Sequence, residues 1–242
     1  MKWATITNIG SRDVNEDCIA VIEQKDCMVF VVADGLGGHG KGEVAANLAI
    51  NTFREIFQKS KELLLHRMEE AFRQANSNIV TEQKKRFEQR NMKTTVVSLA
   101  IENDSVIWGH IGDSRLYAFS FGHIKTRTLD HSVAQMLVMK REITEKEIRN
   151  HPDRNRLLRV LGTEGVEPRF EITNGKSLKK YQAFLLCSDG FWELILEKEM
   201  QECLRKSKSP KEWLENMEKI VCQRGEEREM DNYSAIGIWT RG

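Results

Sequence analysis

Four aspartates in this chain share a setting that suits metal chemistry. Asp34-Gly35, Gly112-Asp113, Asp189-Gly190 and Asp231-Asn232 each stand after or beside a strand-like segment and next to glycine or asparagine. The segments before the first three include Val29-Phe30-Val31-Val32, Val106-Ile107-Trp108 and Phe184-Leu185-Leu186. A carboxylate at a strand end beside a tight turn can point into a shared cleft with its oxygens unobstructed. Hard cations such as Mg²⁺ and Mn²⁺ take oxygen-rich sites that retain water. Any one of these aspartates is also an ordinary turn former, but four in one setting favour a common site.

The stretch from Val31 to Gly42 is a glycine-rich loop between a strand and a helix, where phosphate loops lie. Gly35, Gly37 and Gly40 fit G-x-G-x-x-G, and Gly35 to Lys41 fit the P-loop up to its last position. There Gly42 replaces the Ser or Thr whose hydroxyl ligates magnesium. A second helix follows the first, where a dinucleotide fold needs a βαβ unit. A turn without chemistry is the remaining alternative, since glycine is favoured at positive φ. Asp34 at the head of the loop shifts the balance toward a metal.

The elements that must position these residues follow from periodicity. Residues 3 to 8, 18 to 24 and 27 to 33 read as strands, the third ending sharply at Ala33-Asp34-Gly35. A helix starts at Gly42, and a second runs from about Glu62 to Phe87 with Leu64, Leu65, Met68, Phe72, Ala75 and Ile79 on one face. Residues 94 to 101, 105 to 111 and 116 to 121 predict an antiparallel meander with turns at Glu102-Asn103-Asp104 and Gly122. Short helical pieces surround Pro152 between 132 and 159. Strands near Phe170 and at 183 to 187, helices at 197 to 206 and 210 to 223, and a strand at 233 to 239 complete the chain. That irregular order implies an α+β layered fold, since parallel α/β proteins alternate more regularly.

Composition narrows the function. Lys plus Arg total 37 against 36 for Asp plus Glu, so no global basic field draws nucleic acid or an anionic membrane. Five cysteines, an odd number without C-x-x-C spacing, imply neither a disulfide framework nor a structural zinc site. No apolar run approaches the roughly 20 residues of a membrane span. These features predict a cytoplasmic protein, and 242 residues without a Pro-rich linker or repeat predict one domain over 1–242.

The ordered set of motifs resembles the PPM family, the type-2C metal-dependent protein Ser/Thr phosphatases, in their compact bacterial form. The matching stretches are 11 to 17 (SRDVNED), 33 to 39 (ADGLGGH), Thr94-Thr95, Gly112-Asp113-Ser114-Arg115, Asp130-His131-Ser132, 159 to 162 (RVLG), 187 to 192 (CSDGFW) and Asp231-Asn232. The resemblance implies a four-layer αββα sandwich of two antiparallel sheets flanked by helices. It implies hydrolysis of phosphoserine and phosphothreonine by direct attack of a metal-bridging water. Two tightly bound Mn²⁺ or Mg²⁺ ions are implied, with Asp34 bridging them, Gly35 lending its carbonyl to the first, Asp189 and Asp231 holding the second, and Glu16 acting through water. Asp113, with Asp189, matches the site of a weaker third ion. Arg12 matches the phosphate-binding arginine, whose planar fork suits bidentate contact with phosphate oxygens; otherwise it is a surface residue paired with Asp13 or Glu16. The implied partners are phosphorylated proteins, substrates of a bacterial Ser/Thr kinase, acted on by a monomer. Residues 135 to 155 match a flap beside the active site.

The chain also departs from the family. Leu36 stands where many eukaryotic members place a histidine thought to protonate the leaving group, so that proton must come from bound water or elsewhere. His39 is near but not at that position, and Lys93 replaces the usual glycine before Thr94-Thr95. A phosphatase of small molecules or nucleotides on the same scaffold, and a pseudophosphatase that binds without hydrolysis, are the competing functions; the full set of matched acids weakens the latter.

Overall fold

The structure is a computed structural model and describes residues 1–37, 41–85, 92–173, 175–226 and 229–240. His39 and Phe87 lie outside these residues. The chain opens with β1 (Lys2–Asn8), β2 (Asp17–Glu23) and β3 (Cys27–Leu36). The expected stop of the third strand at Ala33-Asp34-Gly35 is corrected, because β3 changes partner there. Up to Val32 it pairs with β5 (Val96–Glu102), whereas Gly35 and Leu36 pair with the two-residue β4 (Lys93–Thr94). Asp34 therefore sits at a joint inside a strand, its carbonyl accepting the Thr95 N–H at 2.8 Å. Glycine is required next to it: a Cβ on Gly35 would lie 2.2 Å from the backbone of Gly42, at the start of α1 (Lys41–Lys59).

The apolar stripe of α1 and that of α2 (Leu64–Lys85) cover one sheet. Ala45, Ala49 and Phe53 pack with Met68, Phe72 and Ile79 over Val29, Val31 and Ile107. That sheet runs β10-β6-β5-β3-β2, with β9 also pairing β6, where β6 is Ser105–Ile111, β9 Glu171–Ile172 and β10 Lys176–Ser177. The second sheet runs β1-β12-β11-β7-β8, where β7 is Arg115–Ser120, β8 His123–Arg127, β11 Ala183–Cys187 and β12 Tyr233–Trp239. All these pairings are antiparallel. The expected meander through 94 to 121 is thus divided: β5 and β6 belong to one sheet, β7 and β8 to the other. Gly112-Asp113-Ser114 carries the chain across, with Gly112 at φ +101°, a conformation that side chains disfavour.

The inner faces of the sheets meet through Phe30, Leu99 and Trp108 on one side and Leu116, Phe184 and Ile236 on the other. Each such buried side chain contributes on the order of 1.5 to 3 kcal/mol. The outer face of the second sheet is covered by α4 (Asp189–Trp192), α5 (Glu197–Lys206) and α6 (Pro210–Gly225), through Phe191, Met200, Trp213 and Met217. The layers are helix, sheet, sheet, helix, as expected for the αββα sandwich. Between β8 and β9 lie α3 (Val133–Met139) and a 3₁₀ turn, Glu145–Asn150. Among the described residues no helix is long and apolar enough to cross a membrane.

Candidate metal centre

The topology brings the aspartates to one end of the sandwich. Asp34 lies near the end of β3, Asp113 follows β6, Asp189 follows β11 and Asp231 precedes β12. Carboxylate oxygens of Asp34, Asp113 and Asp189 lie within 4.8 Å of one another. These three line an open cleft of about 400 Å³ together with Arg12, Glu16, Gly35, Leu36 and Asp231. Every site residue read from the sequence therefore borders one cavity. Asp231 stands apart from the close trio, its Oδ2 accepting from the Arg12 guanidinium at 2.9 Å. Arg12 pairs with neither Asp13 nor Glu16, the partners considered from sequence. Glu16 Oε1 accepts the Gly42 N–H at 3.1 Å, tying β2's approach to the first turn of α1.

Supporting contacts hold the acids in place. The Gly35 N–H donates to the Glu16 carbonyl at 3.1 Å. Trp192 Nε1 donates to the Asp113 carbonyl at 3.0 Å, and the Arg115 guanidinium lies 3.3 Å from the centre of the Trp192 ring. Arg115 in turn grips Asp130 through two hydrogen bonds, 2.8 and 2.6 Å, in a pair whose side chains are each 2% exposed. Ser114 and Thr95 share a hydroxyl hydrogen bond at 2.7 Å, joining the Asp113 turn to the residue between β4 and β5.

Electrostatics set the character of the cleft. Desolvation, and then repulsion from Asp189 and its neighbours, holds the Asp34 carboxyl well above its ordinary range. Desolvation and Asp113 do the same to Asp189. Asp113 is pushed up to about 7 by burial and then by Asp130. One acid had no role assigned from sequence: Asp17 is 6% exposed, faces Asp34 in the β2–β3 register, and is raised to about 6, chiefly by burial. Its adjacency to Glu16 was visible, but its pairing with Asp34 is a tertiary fact. Asp17 Oδ2 accepts from the Ser188 hydroxyl at 2.7 Å, while Asp17 Oδ1 and Asp113 Oδ1 are buried with no hydrogen-bond partner. Crowded carboxylates with unpartnered oxygens, and no thiolate or imidazole among the described residues lining the cleft, suit a hard divalent cation.

The family described as Protein phosphatase 2C matches residues 7–232. The chain belongs to that family. It is accordingly a phosphoprotein phosphatase. The serine/threonine phosphatase stp of Listeria monocytogenes is 32% identical over 205 residues, 82% of this chain and 80% of its own. Among solved structures, the serine/threonine phosphatase Stp1 from Staphylococcus aureus superposes on this phosphatase with a TM-score of 0.90 at 26% identity, over 99% of this chain and 95% of that one. The catalytic domain of the phosphatase PstP, solved in complex with two manganese ions, gives a TM-score of 0.80 at 26% identity, over 98% of this chain and 96% of that one.

Proposed function

We propose that this phosphatase hydrolyses phosphoserine and phosphothreonine in proteins, with water as the attacking group and no covalent phosphoenzyme. The observation that carries this is the trio Asp34, Asp113 and Asp189, within 4.8 Å of one another in the cleft. Asp34, the Gly35 carbonyl, Asp189 and Asp231 would hold two Mn²⁺ or Mg²⁺ ions, with Glu16 acting through water and Asp113 joining Asp189 at a weaker third position. Bound there, a pair of divalent cations supplies Lewis acidity, making water nucleophilic at neutral pH and neutralising charge on the phosphoryl oxygens.

The chain's own residues do the rest. Arg12 spends one N–H on Asp231, and its side chain is 58% exposed, so its other donors face incoming phosphate. Both the openness of the cleft and that exposure suit a phosphate carried on a protein surface. Leu36 lines the cleft at the position where a histidine would act as acid, so solvent water supplies the leaving-group proton. Asn155, at the end of the segment 135 to 155, also lines it, which supports a flap there, and the core shared by the two sheets supports one domain spanning 1–242. The five free cysteines support a cytoplasmic location, where the partners would be substrates of a bacterial Ser/Thr kinase and the phosphatase would act as a monomer.

Acid-quenched turnover of a phosphothreonine peptide tests the reaction class. No stoichiometric phosphate should remain on the protein, and phosphopeptides should be used more efficiently than free phosphoamino acids or nucleotides. A trapped phosphoenzyme would overturn the water mechanism, and a preference for nucleotides would overturn the substrate assignment.

A further inference from the structure

Asp113 stands on a turn between two sheets, where no strand ladder fixes it. His131, 6% exposed, meets the preceding residue twice. Its backbone N–H donates to the Gly112 carbonyl at 2.9 Å, and its Nδ1 accepts the Gly112 N–H at 3.2 Å. An imidazole that accepts at Nδ1 carries its proton on Nε2. That nitrogen is buried with no hydrogen-bond partner, 3.3 Å from Glu171 Oε1, an oxygen also 3.3 Å from Arg159. The ring stacks on His110, centroids 4.6 Å apart, and His110 Nε2 donates to the Leu129 carbonyl at 2.8 Å. Burial and then His110 lower the His131 pKa to about 4, which keeps the accepting nitrogen free at neutral pH.

The same residue stands at the base of the proposed flap. The His131 carbonyl accepts the Leu158 N–H at 2.7 Å, and beside it the Val133 N–H donates to the Arg156 carbonyl at 2.9 Å. Ser132 Oγ accepts the Gln135 N–H at 3.2 Å, starting α3. One histidine thus joins the base of the 133 to 156 segment to the peptide that precedes a candidate ligand.

We propose that His131 is a positioning residue which, as its Nε2–H tautomer, fixes the Gly112 amide and so aims the Asp113 carboxylate at the third-cation position. This rests on Asp113 serving that position. Metal ligands are commonly oriented by such outer hydrogen bonds, whose loss costs roughly ten- to a hundredfold in affinity.

Calorimetric titration with Mn²⁺ of wild type, His131→Leu, His131→Asn and Asp113→Ala tests the proposal, alongside kcat and KM for a phosphothreonine peptide. Leu fills the site without an acceptor, whereas Asn Oδ1 can stand where Nδ1 does. His131→Leu should retain two tight ions, weaken the third roughly tenfold or more, and lower kcat more than it raises KM; His131→Asn should recover most of the lost affinity. Third-ion affinity in His131→Leu equal to wild type, with Asp113→Ala abolishing that phase, overturns the role of His131 alone. A weaker phase that is missing from wild type, or intact in Asp113→Ala, overturns the role of Asp113 and this proposal with it. Should His131→Leu fail to fold, ¹⁵N spectra of the wild-type imidazole decide: the Nε2–H tautomer at neutral pH supports the proposal, and an Nδ1–H tautomer or an imidazolium overturns it.

Discussion

Asp17 and Asp113 make the metal-free fold sensitive to pH. Their carboxyls rise from an ordinary 3.8 to about 6 and about 7 when the chain folds. The folded state then holds these protons more tightly than the unfolded state. That stabilisation is complete below about pH 4 and is lost as pH rises through about 6 to 7. Thermal unfolding of metal-free protein should therefore fall in midpoint from about pH 5 to about pH 8. Asp113→Asn should flatten that decline and stabilise the metal-free protein above neutrality by on the order of 1 to 4 kcal/mol, one pKa unit being worth about 1.4 kcal/mol. Identical profiles for the two proteins would remove Asp113 from the strained set. With metal present the ranking changes: Asp34→Asn, Asp189→Asn and Asp231→Asn should lose nearly all phosphatase activity, while Asp113→Ala keeps two bound ions and a reduced kcat. Normal metal binding and turnover in Asp231→Asn would contradict that order. Arg12→Ala should bind metal normally and lose roughly ten- to a hundredfold in kcat/KM, through lost charge-assisted contacts worth about 1.5 to 3 kcal/mol; unchanged kinetics would return Arg12 to the ordinary surface.

Elements differ in how plainly the sequence announces them. β12 is an apolar, β-branched run whose bounds, Tyr233–Trp239, coincide with the expected ones. The hydrophobic face expected for α2 is the buried one, from Leu64 through Met68, Phe72 and Ala75 to Ile79. β8 leaves little trace in the sequence because its residues, His123–Arg127, are polar or half-exposed at a sheet edge, with weak alternation. The four-residue α4 and two-residue β10 are too short for any period to register. Alternation also says nothing about which sheet a strand joins, so the crossing at Gly112-Asp113-Ser114 was invisible although every residue of it was singled out. That crossing leads straight into Arg115, buried in its pair with Asp130. Asp130→Ala should strand the Arg115 charge and cost about 3 to 5 kcal/mol in urea unfolding; a change below about 1 kcal/mol would show that the pair contributes little.

At the scale of the molecule, two sheets converge their strand ends on one acidic cleft, and helices on either side cover the outer faces of the sheets. The acids at that end were legible from sequence because strand ends beside glycine recur in order along the chain. Their closeness was not. Asp34, Asp113 and Asp189 meet only because strands far apart in the chain pair side by side, β3 with β5 in one sheet and β7 with β11 in the other, and because the two sheets then stack. Neither step leaves a local trace, since strand periodicity records which face is buried and not which strand lies beside it. On this account the convergence serves a divalent cation required for phosphate-ester hydrolysis. Phosphate release from a phosphothreonine peptide, measured on one preparation with Mn²⁺, with Mg²⁺ and with EDTA, tests it most directly. Release should depend on added Mn²⁺ or Mg²⁺ and cease in EDTA, returning when metal is restored; full activity in EDTA after metal removal would contradict the account.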